Sequence, residues 1–248
     1  MTQLYDAIGA TYREHRRPDA RIAGAIARAL GDARTTVNVG AGAGAYEPRD
    51  RPVVAVEPSL TMIRQRPVGS APVVQASAVQ LPFREATFGA ALAVLTVHHW
   101  PDRARGLTEL ARVVRERVVV VTWDPASVGF WLTENYFPEI VAIDRRIFPT
   151  IEELQRTLGG VDVHRLPIPS DCSDGFLGAY WRRPRAYLDA SVRSAISTFT
   201  KLRDPAAGLA RLREDLEDGT WDRRFGHLRN ESELDLGYRI VVANVRRG

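Results

Sequence analysis

Residues 37–47 read VNVGAGAGAYE, three alternating glycines running straight off a short apolar segment. Glycine admits positive φ and carries no side chain, so Gly40, Gly42 and Gly44 place an open backbone loop where a strand ends. Working outward, β-branched runs recur at Thr35–Val39, Val53–Val56, Ala90–Val94 and Arg117–Thr122, with a weaker one at Val73–Gln75. Continuous apolar runs of this length predict strands buried on both faces. In Asp102–Val114, Leu107, Leu110, Ala111 and Val114 recur at helical spacing behind Pro101 and Asp102 as start signals. Strands alternating with helices predict an α/β fold: a Rossmann-like, doubly wound, mostly parallel sheet.

Beyond Trp123 the pattern changes. Asp124–Thr150 is rich in aromatics and prolines without a clear strand, which predicts an insertion after the fifth strand that caps the sheet's carboxyl edge. Phe130, Trp131, Tyr136 and Phe137 there would form either an apolar pocket wall or a lid core. Helices are expected at Ile151–Leu158, Ala186–Lys201 and Pro205–Glu217, and strands at Val161–Leu166 and Leu234–Ala243. Pro167–Gly178 has the length of a functional loop. The expected organisation is a single domain over 1–248: a helical lid at 1–30, a core at 35–123, insertions and helices at 124–232, and a terminal strand at 233–248.

Composition restricts the function classes. The chain has 248 residues, 45% of them hydrophobic and 26% charged, with a net charge of +4. Length and composition suit one large domain with a full core. The basic residues are arginines apart from Lys201, and they are dispersed, which argues against a nucleic-acid partner. Cys172 stands alone, so neither an internal disulfide nor a cysteine metal cluster can form, and no His/Asp/Glu spacing suggests a metal. No segment has the form of a signal peptide or the length of a spanning helix, so the expectation is a cytoplasmic protein, monomeric or homodimeric.

The glycine loop gains meaning from Glu57, which ends the next run, VVAVEP. A carboxylate there can accept two hydrogen bonds from a ribose diol. A tight strand exit and a solvated turn glutamate would use the same residues. Gly40, Gly42 and Ala45 nominally satisfy a dinucleotide fingerprint, but that motif needs a helix whose N-terminus holds the pyrophosphate. The segment that follows, AYEPRDRP, leaves room for little or no helix. A cofactor with a ribose and no phosphates loses less by this.

VNVGAGAG resembles the first motif of class I S-adenosylmethionine-dependent methyltransferases, and AVEPSLTMI the second. QASAVQLPFREATFGAALAVLTVHHWPD resembles the third-to-fourth motif stretch of their small-molecule, type 11-like branch. The resemblance covers residues 35–123. It implies S-adenosyl-L-methionine as cofactor, with Gly40, Ala41 and Gly42 against its methionine part and Glu57 on the ribose hydroxyls. It further implies Pro58 and Ser59 flanking the adenine, Ser77, Ala78 and Val79 at its edge, and Leu95 and Thr96 beneath it. YDAIGATYREHRRPD resembles the branch's lid helix, which would bring Tyr5 and Tyr12 near the sulfonium and Arg17, in preference to Arg16, onto the cofactor carboxylate. Departures are Asn38, where the family usually has Asp, Ser77, where an Asp commonly reaches the adenine amino group, and the short connection after Gly44.

Methyl transfer mainly requires alignment and exclusion of water, and a base only where the acceptor is protonated. His98 and His99, following the fourth strand, are the candidate bases, although a packed strand exit would use them equally. Asp171 and Asp174 would form a carboxylate pair or simply serve a turn. The resulting expectation is methyl transfer to a small-molecule acceptor, with a specialised metabolite as the candidate class. The alternatives are sulfonium-directed cyclisation with the same cofactor and a NAD(P)-dependent oxidoreductase.

Overall fold

Val37, Val39, Ala55, Ala90, Leu92, Val118, Val119 and Val120 are all buried, and they mark the centre of the sheet. The computed structural model describes residues 16–245. Its strands are β1 (Thr36–Val39), β2 (Val53–Val56), β3 (Val73–Val74), β4 (Phe88–Val94), β5 (Val114–Trp123), β6 (Val161–Arg165), β7 (Ile168–Pro169), β8 (Glu233–Leu234) and β9 (Tyr238–Asn244). Seven of them form one sheet in the order β3-β2-β1-β4-β5-β9-β6. β3, β2, β1, β4 and β5 run parallel, and β9 is antiparallel to both β5 and β6. This is the mostly parallel, doubly wound sheet expected from the sequence. The chain reverses direction across the sheet between β1 and β4, so the carboxyl ends of those two strands open the crevice where ligands bind in such folds.

Period-2 alternation distributes the strand residues over two layers. Ala90, Leu92, Val119 and Val121 pack on one face with Ile22, Ile26 and Leu30 of helix α1 (Ala20–Leu30). On the other face Ala91, Ala93, Val118 and Val120 pack with Leu107 and Leu110. A short helix α2 (Leu60–Arg64) follows β2, and Leu107 and Leu110 belong to α3 (Arg103–Val113). Asp102 caps α3 by accepting from the Arg105 N–H at 2.9 Å.

The insertion holds two helices, α4 (Trp131–Asn135) and α5 (Pro138–Ile147); α6 (Ile151–Leu158) then returns to the sheet. α4 and α5 share a third core with α7 (Ala190–Ser194), α8 (Ala206–Glu217) and α9 (Thr220–Phe225), centred on Trp131, Tyr187, Phe199 and Trp221. Trp131 meets Trp221 edge-on, ring centroids 5.3 Å apart, a favoured aromatic geometry.

Two expected elements are corrected. Ala186–Lys201 is not one helix: a 3-10 turn (Pro184–Leu188), α7 and a second 3-10 turn (Phe199–Lys201) replace it. Asp189 stays extended and accepts from the Ser191 N–H at 2.8 Å, which starts a new helix in mid-segment. Tyr187, Val192, Ile196 and Phe199 are buried regardless, and their spacing imitates a helical stripe. The single strand expected at Leu234–Ala243 is divided by Gly237, whose φ of +88° only glycine adopts readily. β8, before it, pairs with β7 in a separate ribbon, and β9, after it, joins the main sheet. Among the described residues no helix is long and apolar enough to cross a membrane.

Candidate active site

The glycine loop sits directly on the exit of β4. The N–H groups of Gly40 and Ala41 both donate to the Val56 carbonyl, at 2.8 and 3.1 Å, which ties the loop across to β2. Gly40 has φ +70°, and a Cβ on it would lie 2.0 Å from Thr96 Oγ1. Any side chain would displace Thr96 or the loop. No helix follows over residues 41–52.

Glu57 is buried, 7% exposed, at the end of β2. Its Oε2 accepts from the Gly42 N–H at 2.8 Å and its Oε1 from the Ser59 N–H at 2.9 Å. Each oxygen keeps a lone pair for a further donor. Burial raises its pKa, and the Ser59 and Gly42 N–H groups and the Arg66 charge oppose that rise. Ser59 also caps α2, its Oγ accepting from the Met62 N–H at 3.3 Å. Arg66 braces the loop from outside: it pairs with Glu47 at 2.6 Å and donates to the carbonyls of Gly42 at 3.4 Å and Ala71 at 3.0 Å. Both partners are buried, so the pair is little screened.

A cavity of about 2010 Å³ starts at this loop and runs beneath the cap. The structure brings Gly40, Ala41, Gly42, Glu57, Pro58, Ser59, Ser77, Ala78, Leu95 and Thr96 to one end of it. Val79 lies off that wall, its carbonyl accepting from Arg105 Nε at 2.8 Å. Arg17 is exposed at the rim. Arg16, also on the wall, pairs at 2.6 Å with the fully buried Asp174, whose other oxygen accepts from the Tyr46 hydroxyl at 2.9 Å. Tyr5 and Tyr12 lie outside the described residues. Asp171 is separate from Asp174 and pairs at the surface with Arg21 at 2.7 Å.

At the other end stand His98 and His99, in a 3-10 turn (Val97–His99) just beyond β4. Their ring centroids are 3.9 Å apart, and His98 stacks on Phe148 at the same distance. Burial, aided for His98 by His99 and for both by Lys201, lowers both pKa values, that of His99 to about 4, so both rings are neutral at pH 7. Asp144, on α5, is 5% exposed on the same wall. Its Oδ1 accepts from the Thr198 hydroxyl at 2.9 Å. Burial raises its pKa to about 6, against the pull of Thr198 and Lys201. Of the insertion's aromatics, Phe130 faces the cavity, while Trp131, Tyr136 and Phe137 form the cap core.

Asp144, Thr198 and Lys201 were not legible as site residues. They lie on cap elements with no motif, and nothing in their spacing brings them to His98. The one available signal was an aspartate at a position of α5 that shares the helix's buried side with Ile140.

A protein-family model described as a methyltransferase domain matches residues 37–122. A solved structure from Anabaena variabilis, described as a methyltransferase from an antibiotic biosynthesis pathway, is 32% identical, covers 92% of this chain and 98% of its own, and superposes with a TM-score of 0.85. The chain belongs to the class I S-adenosylmethionine-dependent methyltransferases. More distant structures share the fold: a methyltransferase of Thermotoga maritima at 16% identity, covering 99% of this chain and 100% of its own, with a TM-score of 0.61. The [4+2]-cyclase SpnF is 17% identical over 92% of this chain and 82% of its own, with a TM-score of 0.52.

Membership implies S-adenosylmethionine as cofactor of this methyltransferase, and the residues present fit it. Glu57 retains acceptor capacity toward a diol, and the cradle at Gly40 lacks the side chain that would fill it. The turns over residues 41–52 offer a diphosphate no helix N-terminus, so the fit to a dinucleotide is poor.

Proposed function

We propose that this methyltransferase transfers the methyl group of S-adenosylmethionine to a small, largely apolar acceptor of the specialised-metabolite kind. The observation that carries this reading is the continuity of the cavity, which begins at the Glu57 carboxylate and glycine loop and ends at His98, His99 and Asp144. The relative from an antibiotic biosynthesis pathway supports the substrate class. When bound, the cofactor supplies a methyl group already activated on a sulfonium.

The chain's own residues hold and align. Glu57 accepts from the ribose hydroxyls, Ser77 and Ala78 border the base, and Gly40 to Gly42 admit the amino-acid part. Phe130, Phe148 and Phe176 line the acceptor half and exclude water from it. Fixing an acceptor atom in line with the methyl group supplies up to about 7–11 kcal/mol of barrier reduction without any covalent chemistry by the protein. His98 and His99, held neutral by burial, orient the acceptor, and their lowered pKa values make them weak proton acceptors at pH 7.

The test is incubation with S-adenosylmethionine carrying a labelled methyl group and a metabolite extract, followed by mass spectrometry. A labelled product with matching release of S-adenosylhomocysteine is the expected outcome. Methylthioadenosine without a labelled product would replace transfer by sulfonium-directed cyclisation. Calorimetric binding of NAD in place of S-adenosylmethionine would overturn the reading.

A further inference from the structure

The far half of the cavity mixes aromatic and aliphatic wall with polar side chains, and Asp144 stands out among the polar ones by its burial. It is 5% exposed, on the cavity wall, and among the described residues the sole hydrogen bond to its side chain comes from Thr198 onto Oδ1. Oδ2 has no donor there. An ionised carboxylate out of water is costly unless both oxygens are hydrogen-bonded. Lys201, whose charge acts on it, forms no ion pair with it. Oδ2 is open to the cavity and not sealed in protein, so a donor on a bound molecule can take the place of water there.

The position along α5 (Pro138–Ile147) sets what that donor meets. Phe148, four residues on at the helix end, donates its N–H to the Asp144 carbonyl and stacks its ring on His98. That backbone turn joins the two residues, and Asp144, Phe148 and His98 all line the same cavity. A planar apolar body lying along that stack would carry a polar hydrogen to Oδ2.

We infer that Asp144 is the acceptor anchor of this methyltransferase and selects a planar apolar molecule bearing an O–H or N–H donor, whose hydrogen bonds to Oδ2. This deepens the proposed function and rests on it. Thr198 acts through Asp144 as a positioning residue by fixing the carboxylate's orientation. A hydroxyl or ammonium satisfies the buried oxygen; its methyl ether leaves that oxygen bare and is rejected.

The experiment uses the full chain saturated with S-adenosylhomocysteine and three probes, 2-naphthol, 2-methoxynaphthalene and 2-naphthylmethylamine, titrated by calorimetry. Wild type should bind at least one of the two donor probes about tenfold or more tighter than the ether, in line with a hydrogen bond to a charged group. The two donor probes then tell a neutral hydroxyl from an ammonium. In Asp144→Ala that preference should fall below about threefold while the ether's affinity stays within about twofold, and Thr198→Val should give an intermediate preference. Wild type binding no donor probe, or binding all three alike, overturns the anchor. So does an unchanged preference in Asp144→Ala. Where Asp144→Ala does not fold, Asp144→Asn must reduce the donor preference, and failure to do so overturns the proposal equally. S-adenosylmethionine titrated into wild-type protein free of S-adenosylhomocysteine separates the readings. Cofactor binding without donor preference sinks the anchor alone; loss of cofactor binding sinks the methyltransferase reading beneath it.

Discussion

The two ends of the cavity are built from different material. At the Glu57 end the positions are set by backbone: N–H groups of Gly40, Ala41, Gly42 and Ser59 make the contacts, and an absent Cβ makes the space. At the Asp144 end they are set by side chains carried on cap helices, held by the packing of Trp131, Tyr187, Phe199 and Trp221. A backbone-built end tolerates change in surrounding side chains but not in its glycines. A side-chain-built end can be rebuilt piece by piece, which suits a scaffold that keeps its cofactor and varies its acceptor.

The strongest way to break this contrast is Trp131→Ala. Removing a fully buried tryptophan from the cap core should cost about 3–5 kcal/mol of stability, seen as a lowered midpoint in denaturant. Affinity for S-adenosylmethionine should change by less than about threefold, since no cap side chain is needed at the Glu57 end. Loss of cofactor binding would show that the two ends are one unit. The complementary change is Gly40→Ala, which combines φ +70° with a Cβ 2.0 Å from Thr96 Oγ1. It should weaken cofactor binding by about 3 kcal/mol, through strain and displacement together, while leaving the cap's near-ultraviolet circular dichroism intact. Glu57→Ala should weaken the same binding by about 1.5–3 kcal/mol, the range for hydrogen bonds to a charged group. Unchanged affinity by calorimetry would remove Glu57 from the site.

The smallest effect sharpens the acceptor end. Burial moves Asp144 up to about 6 and His99 down to about 4. Between those values the folded chain keeps a proton on Asp144 that the unfolded chain has released. It lacks on His99 a proton that the unfolded chain has bound. The two slopes of stability against pH oppose each other, while His98, also lowered, adds to the histidine side. Wild type should lose stability only gradually as pH falls from 6.5 toward 4. Asp144→Asn, with Thr198, Glu134, Arg145 and both histidines still lining the cavity and the Lys201 charge still acting, removes the opposing contribution. That variant should be about 1–2 kcal/mol more stable at pH 7 and fall more steeply with acid. Parallel profiles for the two proteins in thermal melts across this range would contradict the assignment.

The same contrast explains what could be read from the sequence. The sheet, its parallel order and the cofactor end followed from contiguous residues: strand, glycine loop and acidic strand end occupy a stretch of about twenty residues, and local chemistry requires them together. The expectation of little or no helix after Gly44 came from Pro48 and Pro52, the lack of apolar periodicity and the few residues left before the next strand. The cap was not legible in this way. Ala186–Lys201 presented a helical stripe although Asp189 breaks it, because burial in a common core needs apolar residues at intervals and not a continuous helix. Asp144 gave no local sign of the role proposed for it, since its hydrogen-bond partner Thr198 is 54 positions away and His98, on the same cavity, 46, separations that only the fold closes.

The Arg66–Glu47 strut has a consequence for anyone wishing to re-engineer this protein. It spans the outside of the glycine loop, tying residue 47 to residue 66 and to the Ala71 backbone, where related nucleotide-binding folds would run a helix. Refitting the pocket for a phosphate-bearing coenzyme is consequently a matter of chain length and not of residue choice. New peptide would have to be inserted between the first two strands, and the strut dismantled, before any exchange at Glu57 could alter coenzyme preference.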